Sequence, residues 1–200
     1  MAGDQGIDLG LPEAWHQAAE VFRAHRRWAV ASHMNPDADT LGSAIALKVL
    51  LRALGHEVVH VCPDPVPQAL RFLRGTDEVR TSLEGLEGWA MATCDAADIR
   101  RFGAEWTGPM SAFRPLVVVD HHVSNVAFGT DNIILTDAAA TGEVVFRLFR
   151  HFGITVDREA ADALYAAIST DTGSFCYEAT RPHTHLMAAR LIEAGVEVSP

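Results

Sequence analysis

The sequence predicts an α/β fold, a mostly parallel sheet of about five strands flanked by helices. Three observations predict it. Short apolar runs alternate with stretches of helical periodicity, the order expected when helices form the crossovers of a parallel sheet. The strongest run, Leu116-Val117-Val118-Val119, is uninterrupted and rich in β-branched residues, as suits a strand buried on both faces. The apolar runs also stop abruptly at Asp or His, and α/β sheets place their ligands outside the carboxyl ends of their strands.

In chain order, residues 1–11 are rich in Gly and Asp and read as a flexible N-terminus. Pro12 opens a helical pattern through Ala14, Trp15, Ala18, Ala19, Val21 and Phe22, closed by His25-Arg26-Arg27, cations that suit a helix C-terminus. Trp28 to Ser32 reads as the first strand. Thr40 to Leu54 reads as a helix, with Thr40 as N-cap and Gly55 as C-cap. Glu57 to Cys62 is the second strand, and Pro63-Asp64-Pro65 breaks the chain. A short helix through Ala69–Leu73 ends at Gly75. Trp89 to Cys94 is the third strand, followed by a helix around Asp98–Phe102. Leu116–Val119 and Ile133–Leu135 complete the sheet, and Thr141–Phe152, Arg158–Thr170 and Pro182–Ala194 read as helices. After Gly195, Ser199-Pro200 has the form of an N-cap and first helical residue, so the chain is expected to reach a domain boundary there.

Composition narrows the class. Two hundred residues favour one domain, and 48% hydrophobic with 21% charged residues is a globular balance. A net charge of −10 argues against a general nucleic-acid coat. Cys62, Cys94 and Cys176 are odd in number and widely spaced, which fits reduced thiols better than a disulfide framework or zinc cluster. No apolar run approaches the ~20 residues of a membrane span, and the N-terminus lacks a basic segment before an apolar one. A cytoplasmic protein with no membrane partner is the expectation.

Four clusters carry the chemistry: His33/Asp37/Asp39, Asp95, Asp120/His121/His122, and Asp171 within Ser169-Thr170-Asp171-Thr172-Gly173-Ser174. Carboxylates converging on one cleft raise each other's pKa values, and divalent cations remove that conflict. Carboxylate and imidazole without thiolate suit Mn²⁺, with Mg²⁺ as second choice and Zn²⁺ less so. The ligands are too many for one ion, and two ions about 3.5–4 Å apart form the usual clamp for phosphoryl displacement. Each residue also has a plainer reading. Asp37 could simply cap a helix. Asp98 and Asp137 read as cap and turn residues, and Cys94 as inert core. Arg100-Arg101 reads as a solvated helix face, with a phosphate role as the alternative. The other histidines, including His183 and His185, read as surface or helix-end residues.

The four clusters, in this order at strand ends, resemble the DHH phosphoesterase superfamily over essentially all of residues 13–195, the extent of a catalytic domain placed at 12–195. The carrying motifs are Ser32-His33-Met34-Asn35-Pro36-Asp37-Ala38-Asp39, Cys94-Asp95-Ala96-Ala97-Asp98, Val119-Asp120-His121-His122 and Thr170-Asp171-Thr172-Gly173-Ser174-Phe175. The helix before the first strand and the Gly42-Ser43 pair look most like the nanoRNase/pAp-phosphatase branch. That branch trims very short RNA, dephosphorylates 3′-phosphoadenosine 5′-phosphate and, in some members, cleaves cyclic dinucleotides or their linear products. The resemblance implies one metal on His33, Asp37 and Asp95 and a second on Asp39, Asp95, His121 and Asp171, with a water or hydroxide between them as nucleophile. It places His122 on the substrate phosphate and Asp120 behind a ligand histidine, with Ser43 and Thr172 as weaker candidates for loop support or phosphate contact. A short oligonucleotide or mononucleotide is the implied substrate, and a homodimer is compatible with it.

Three departures stand out. Ala38 replaces a frequent Gly. Cys176-Tyr177-Glu178-Ala179-Thr180-Arg181 stands where the family often has an Arg and then an Asn-Thr pair. No Gly-Gly pair occurs, so the Gly-Gly-Gly-His motif of the family's second, substrate-gripping domain is absent, and residues 196–200 read as the start of a linker towards such a domain. A manganese pyrophosphatase and a 5′→3′ single-strand exonuclease share the four motifs. The first usually lacks the leading helix; the second normally carries extra domains and a basic channel. A nucleotide or metal sensor without turnover is the rival outside enzymes, and the filled ligand positions argue against it.

Overall fold

A computed structural model describes residues 7–198. Five parallel strands form one sheet: β1 (Arg27–Ala31), β2 (Glu57–Val61), β3 (Ala90–Cys94), β4 (Leu116–Asp120) and β5 (Asp131–Ile134). Their spatial order is β2-β1-β3-β4-β5. The chain runs outward from β1 to β2, then returns to lay β3 on the other side of β1. The loops leaving β1 and β3 therefore diverge, and the crevice between them is the topological switch point of the sheet.

Alternating side chains build two unequal layers. Trp28 and Val30 of β1 join the larger core with Ala92, Val117, Val119 and Ile133. Against it pack α1 (His16–Ala24), α2 (Ala38–Ala53), α4 (Thr141–Phe152), α5 (Arg158–Asp171) and α6 (Pro182–Glu193). Ala29 and Ala31 face the smaller layer, closed by Leu86, Trp89, Phe102 and Phe113 together with Met110 of α3 (Ala104–Met110).

Small residues set the helix spacing. A Cβ placed on Gly42 of α2 would lie 2.3 Å from the Ala163 carbonyl oxygen of α5, and one on Gly142 of α4 would lie 2.8 Å from Ala167 Cβ. Buried Lys48 reaches Glu78 and Glu159, each at 3.4 Å, and so ties α2 to α5 and to the segment after β2.

Several elements differ from the sequence reading. Helix α2 starts at Ala38 rather than Thr40, because Asp37 is the cap: its Oδ1 accepts from Thr40 N at 3.0 Å. The expected helix over 69–73 is a 3₁₀ turn at Gln68–Leu70; of its apolar run only Leu73 is buried, against Ile45 and Ala163, while Phe72 is 70% exposed. The segment around Asp98–Phe102 is likewise 3₁₀, at Ile99–Phe102. Helix α3 lies where Gly103, Gly108 and Pro109 had hidden it. Of the N-terminus expected to be loose, residues 1–6 lie outside the described residues. The rest is packed: Leu9 and Leu11 are buried, and Gly10 O accepts from Arg147 Nη1 at 3.0 Å. Gly and Asp dominate that stretch, but its two leucines decide its placement. Val196 is buried as well, whereas Ser199-Pro200, expected to start another helix, lie outside the described residues. No helix among the described residues is long and apolar enough to cross a membrane.

Candidate metal centre

Adjacent strands deliver the clusters to one place. His33 follows β1, Asp95 follows β3 at once, and Asp120 is the last residue of β4, with His121 and His122 next. Asp37 caps α2, Asp39 lies in its first turn, and Asp171 is the last residue of α5. Asp95 has φ 62°, a left-handed conformation uncommon outside glycine, in a peptide whose N–H still donates to Val119 O at 3.1 Å. That turn directs its carboxylate back across the strand ends.

Asp95 is the centre of the arrangement. Its Oδ2 lies 3.6 Å from His33 Nε2, which is 3.8 Å from Asp37 Oδ2. Its Oδ1 lies 3.6 Å from His121 Nε2, which is 3.3 Å from Asp171 Oδ2 and 3.9 Å from Asp39 Oδ2. Both imidazoles are oriented from behind. His33 Nδ1 donates to Met34 O at 2.9 Å and His121 Nδ1 to Ala138 O at 3.2 Å. A carbonyl only accepts, so each ring presents the Nε2 lone pair to the centre. Three groups of donor atoms face one another: His33/Asp37/Asp95, Asp39/His121/Asp171 and Asp95/His121/His122.

The electrostatics call for cations. Burial, then the charges of Asp95 and Asp171, push the Asp39 carboxyl well above the usual carboxylate range. Burial also raises Asp171. Asp95 feels burial most strongly, yet its neighbours His33, His121 and His122 outweigh it and hold its pKa low. Oxygen and imidazole donors with no thiolate among them fit Mn²⁺ or Mg²⁺. The nearest thiols are not ligands: Cys94 is buried with its pKa pushed far up, and burial raises Cys62 to about 11.

His122 stands apart from the other two histidines. Its side chain is 43% exposed, and its Nδ1 is 2.8 Å from Oδ1 of the fully buried Asp120. That bond, ahead of all other influences, raises the His122 pKa. Asn125 Nδ2 secures the other Asp120 oxygen at 2.5 Å.

With this geometry in place, comparison with known proteins is informative. The family model described as "DHH family, N-terminal domain" matches residues 27–168. The chain belongs to the DHH family. The bifunctional oligoribonuclease and PAP phosphatase NrnA of Thermus thermophilus is 33% identical over 193 residues, covering 94% of this chain and 57% of that protein. The Bacillus subtilis protein of the same name is 31% identical over 165 residues, 80% of this chain and 51% of its own. The chain thus spans about half the length of the curated relatives it matches. In three dimensions it is similar to an exopolyphosphatase-related protein from Bacteroides fragilis, with a TM-score of 0.85 at 22% identity, over 93% of this chain and 58% of that one. The five-stranded α/β architecture of this DHH domain is shared with it.

The DHH domain brings together His33, Asp37, Asp39, Asp95, His121, His122 and Asp171, with Asp120 directly behind His122. Asp37 serves as helix cap and centre residue at once, through different oxygens. Substrate contact by Ser43 and Thr172 does not fit the structure, because both are fully buried. Ser43 Oγ donates to Asp39 Oδ1 at 2.9 Å. Thr172 Oγ1 donates to Ile168 O at 2.6 Å and accepts from Phe175 N at 3.0 Å, locking the turn after α5.

Sequence reasoning placed the start of α4 but missed its part in the site. Thr141 N donates to Asp39 Oδ2 at 2.7 Å, Gly142 N to Asp39 Oδ1 at 3.0 Å, and Thr141 Oγ1 to Asp95 Oδ1 at 2.9 Å. This is an anion site at a helix N-terminus, holding a carboxylate of the chain itself. The signal available was Ala138-Ala139-Ala140 before Thr141-Gly142, a run small enough for close approach.

Proposed function

We propose that this domain hydrolyses phosphate esters of short ribonucleotides, namely RNA oligonucleotides a few residues long and 3′-phosphoadenosine 5′-phosphate, with two divalent cations, Mn²⁺ preferred. The observation that carries the reading is Asp95, whose two oxygens face His33 on one side and His121 on the other. One carboxylate shared by two ligand groups describes a paired-ion centre. The names of the Thermus and Bacillus relatives support the substrate class.

His33, Asp37 and Asp95 would hold one ion, and Asp39, Asp95, His121 and Asp171 the other. Bound ions would supply Lewis-acid stabilisation of charge at phosphorus and make water acidic enough to attack near neutral pH. The chain does the rest. Asp120 fixes a proton on His122 Nδ1 and stabilises the imidazolium, so the exposed His122 Nε2 donates to the phosphoryl oxygen as charge develops there. Ser43, Thr141 and Gly142 orient Asp39, and the bonds from Thr141 and Ser43 offset part of the burial that raises its pKa. A second domain beyond this chain completes the grip on the substrate, and residues 12–195 form the catalytic half.

The test is a Mn²⁺-dependent hydrolysis panel on this chain and on the full-length protein. It holds a short RNA, 3′-phosphoadenosine 5′-phosphate, pyrophosphate and a cyclic dinucleotide. Turnover of the RNA and the 3′-phosphate, strong in the longer protein and weak here, is expected. Preference for pyrophosphate would move the protein to another branch, and metal binding without turnover in either version would leave a sensor.

A further inference from the structure

Arg101 stands at the edge of the centre, and nothing in the chemistry above uses it. It lies in the 3₁₀ turn Ile99–Phe102 after β3. Hydrogen bonds within the turn and to the loop after β1 fix it. Asp98 Oδ1 accepts from Arg100 N at 2.8 Å. Met34 N donates to Arg101 O at 2.9 Å, which joins the turn to the loop carrying His33. The two arginines then part. Arg100 folds back on Asp98, with Nε–Oδ1 at 2.9 Å and Nη2–Oδ2 at 2.6 Å. Arg101 turns to the centre, where its Nη2 lies 3.1 Å from His33 Nε2 and 3.4 Å from His33 Nδ1. Among the described residues it has no carboxylate partner, although an acidic cluster is beside it.

His33 Nδ1 is committed to Met34 O, so Nε2 carries the ring's lone pair. Arg101 Nη2 is nearly equidistant from the two ring nitrogens, so the guanidinium rests over the imidazole face, beside that lone pair rather than in line with it. With an ion on His33, the guanidinium would face divalent positive charge at short range. An anion resting on the centre offsets that repulsion, and the non-bridging oxygens of a phosphoryl group match the planar fork of Arg.

We propose that Arg101 grips the substrate phosphoryl group from the His33 side of Asp95. The proposal rests on the phosphoesterase reading above, but phosphate binding does not require turnover, so the two fail separately.

The experiment titrates inorganic phosphate into the Mn²⁺-loaded chain, as wild type, R101A and R101K, after Mn²⁺ binding to each has been measured by electron paramagnetic resonance. R101A should bind Mn²⁺ as tightly as wild type or a few-fold tighter, since a positive charge beside the ion is gone. Its phosphate affinity should fall about ten- to a hundredfold, the usual range for a lost charged hydrogen bond, and R101K should recover part of the loss. In the full-length protein kcat/KM for a short RNA should fall by a similar factor. Wild-type phosphate affinity in fully loaded R101A overturns the proposal. Loss of Mn²⁺ binding in R101A overturns it too, because Arg101 would then be a support for His33. A protein that binds phosphate through Arg101 yet hydrolyses nothing overturns the phosphoesterase reading alone.

Discussion

Replacing Gly42 by Ala sets two well-known effects against each other. In a helix interior that change ordinarily stabilises, by about 0.5–1 kcal/mol. Here the added Cβ would lie 2.3 Å from the Ala163 carbonyl oxygen, where contacts under 3.0 Å essentially never occur. The obstacle is backbone and cannot rotate away, so α2 and α5 must part by at least about 0.7 Å. Overpacking of this kind costs about 1–3 kcal/mol, which leaves a net destabilisation of about 1–2 kcal/mol. The same movement reaches the centre. Asp39 lies three positions before Gly42 on α2, and Asp171 ends α5; their nearest oxygens are 3.9 and 3.3 Å from His121 Nε2. Mn²⁺ affinity should fall by about tenfold, or about 1.4 kcal/mol. The assay pairs urea unfolding with Mn²⁺ titration. Gly108→Ala in α3 is the control: nothing lies within 4 Å of its added Cβ, so it should keep or gain stability and bind Mn²⁺ as wild type does. A G42A protein as stable as wild type, with unchanged Mn²⁺ affinity, would refute the reasoning.

Four further outcomes are expected. Asp95→Ala removes the residue shared by both ligand groups, so elemental analysis should find the paired ions lost; a variant retaining two Mn²⁺ per chain would end the shared-ligand assignment. Thr141→Val keeps the shape of the side chain but removes the 2.9 Å hydrogen bond to Asp95, and Mn²⁺ affinity should fall about ten- to a hundredfold, as for other lost partners of ligands. Asp120→Asn removes the carboxylate that raises His122; the His122 pKa, followed by NMR in the Mg²⁺-loaded protein, should drop, and an unchanged value would remove Asp120 from that role. Burial lowers the His60 pKa from 6.5 to about 3. The unfolded chain therefore takes up a proton that the native state refuses, and stability is lost as pH falls below about 6.5. That loss is about 2 kcal/mol by pH 5 and approaches about 5 kcal/mol below pH 3. His60→Gln should flatten urea-derived stability between pH 7 and 5 by about 2 kcal/mol, and an equal slope in both proteins would contradict the buried neutral ring.

The parts of the fold that were legible are those where side chains speak for themselves. Leu116–Val119 can only be a buried strand, and Thr141–Phe152 has both its bounds in its sequence. The candidate ligands were legible because five Asp and three His at strand and helix ends leave few other readings. What stayed hidden depends on backbone. Two N–H groups at the start of α4 hold Asp39, and no residue type announces them. The aim of Arg101 depends on the tight turn that Asp98 caps, and two adjacent arginines give no hint that they diverge. Helix α3 was lost because two glycines and a proline outweigh a short apolar pattern, until tertiary packing of Met110 fixes it.

The hold on Asp39 has a consequence for ion choice. Its Oδ1 accepts from Ser43 and Gly142 and its Oδ2 from Thr141, so neither oxygen is free to swing. Calcium needs such swinging, since it gathers six to eight oxygens at about 2.3–2.6 Å and often takes a carboxylate through both atoms. A carboxylate pinned by its own chain offers one direction and one reach. An ion held there would meet a cage whose reach is set before it arrives, a geometry suited to small six-coordinate cations rather than to calcium.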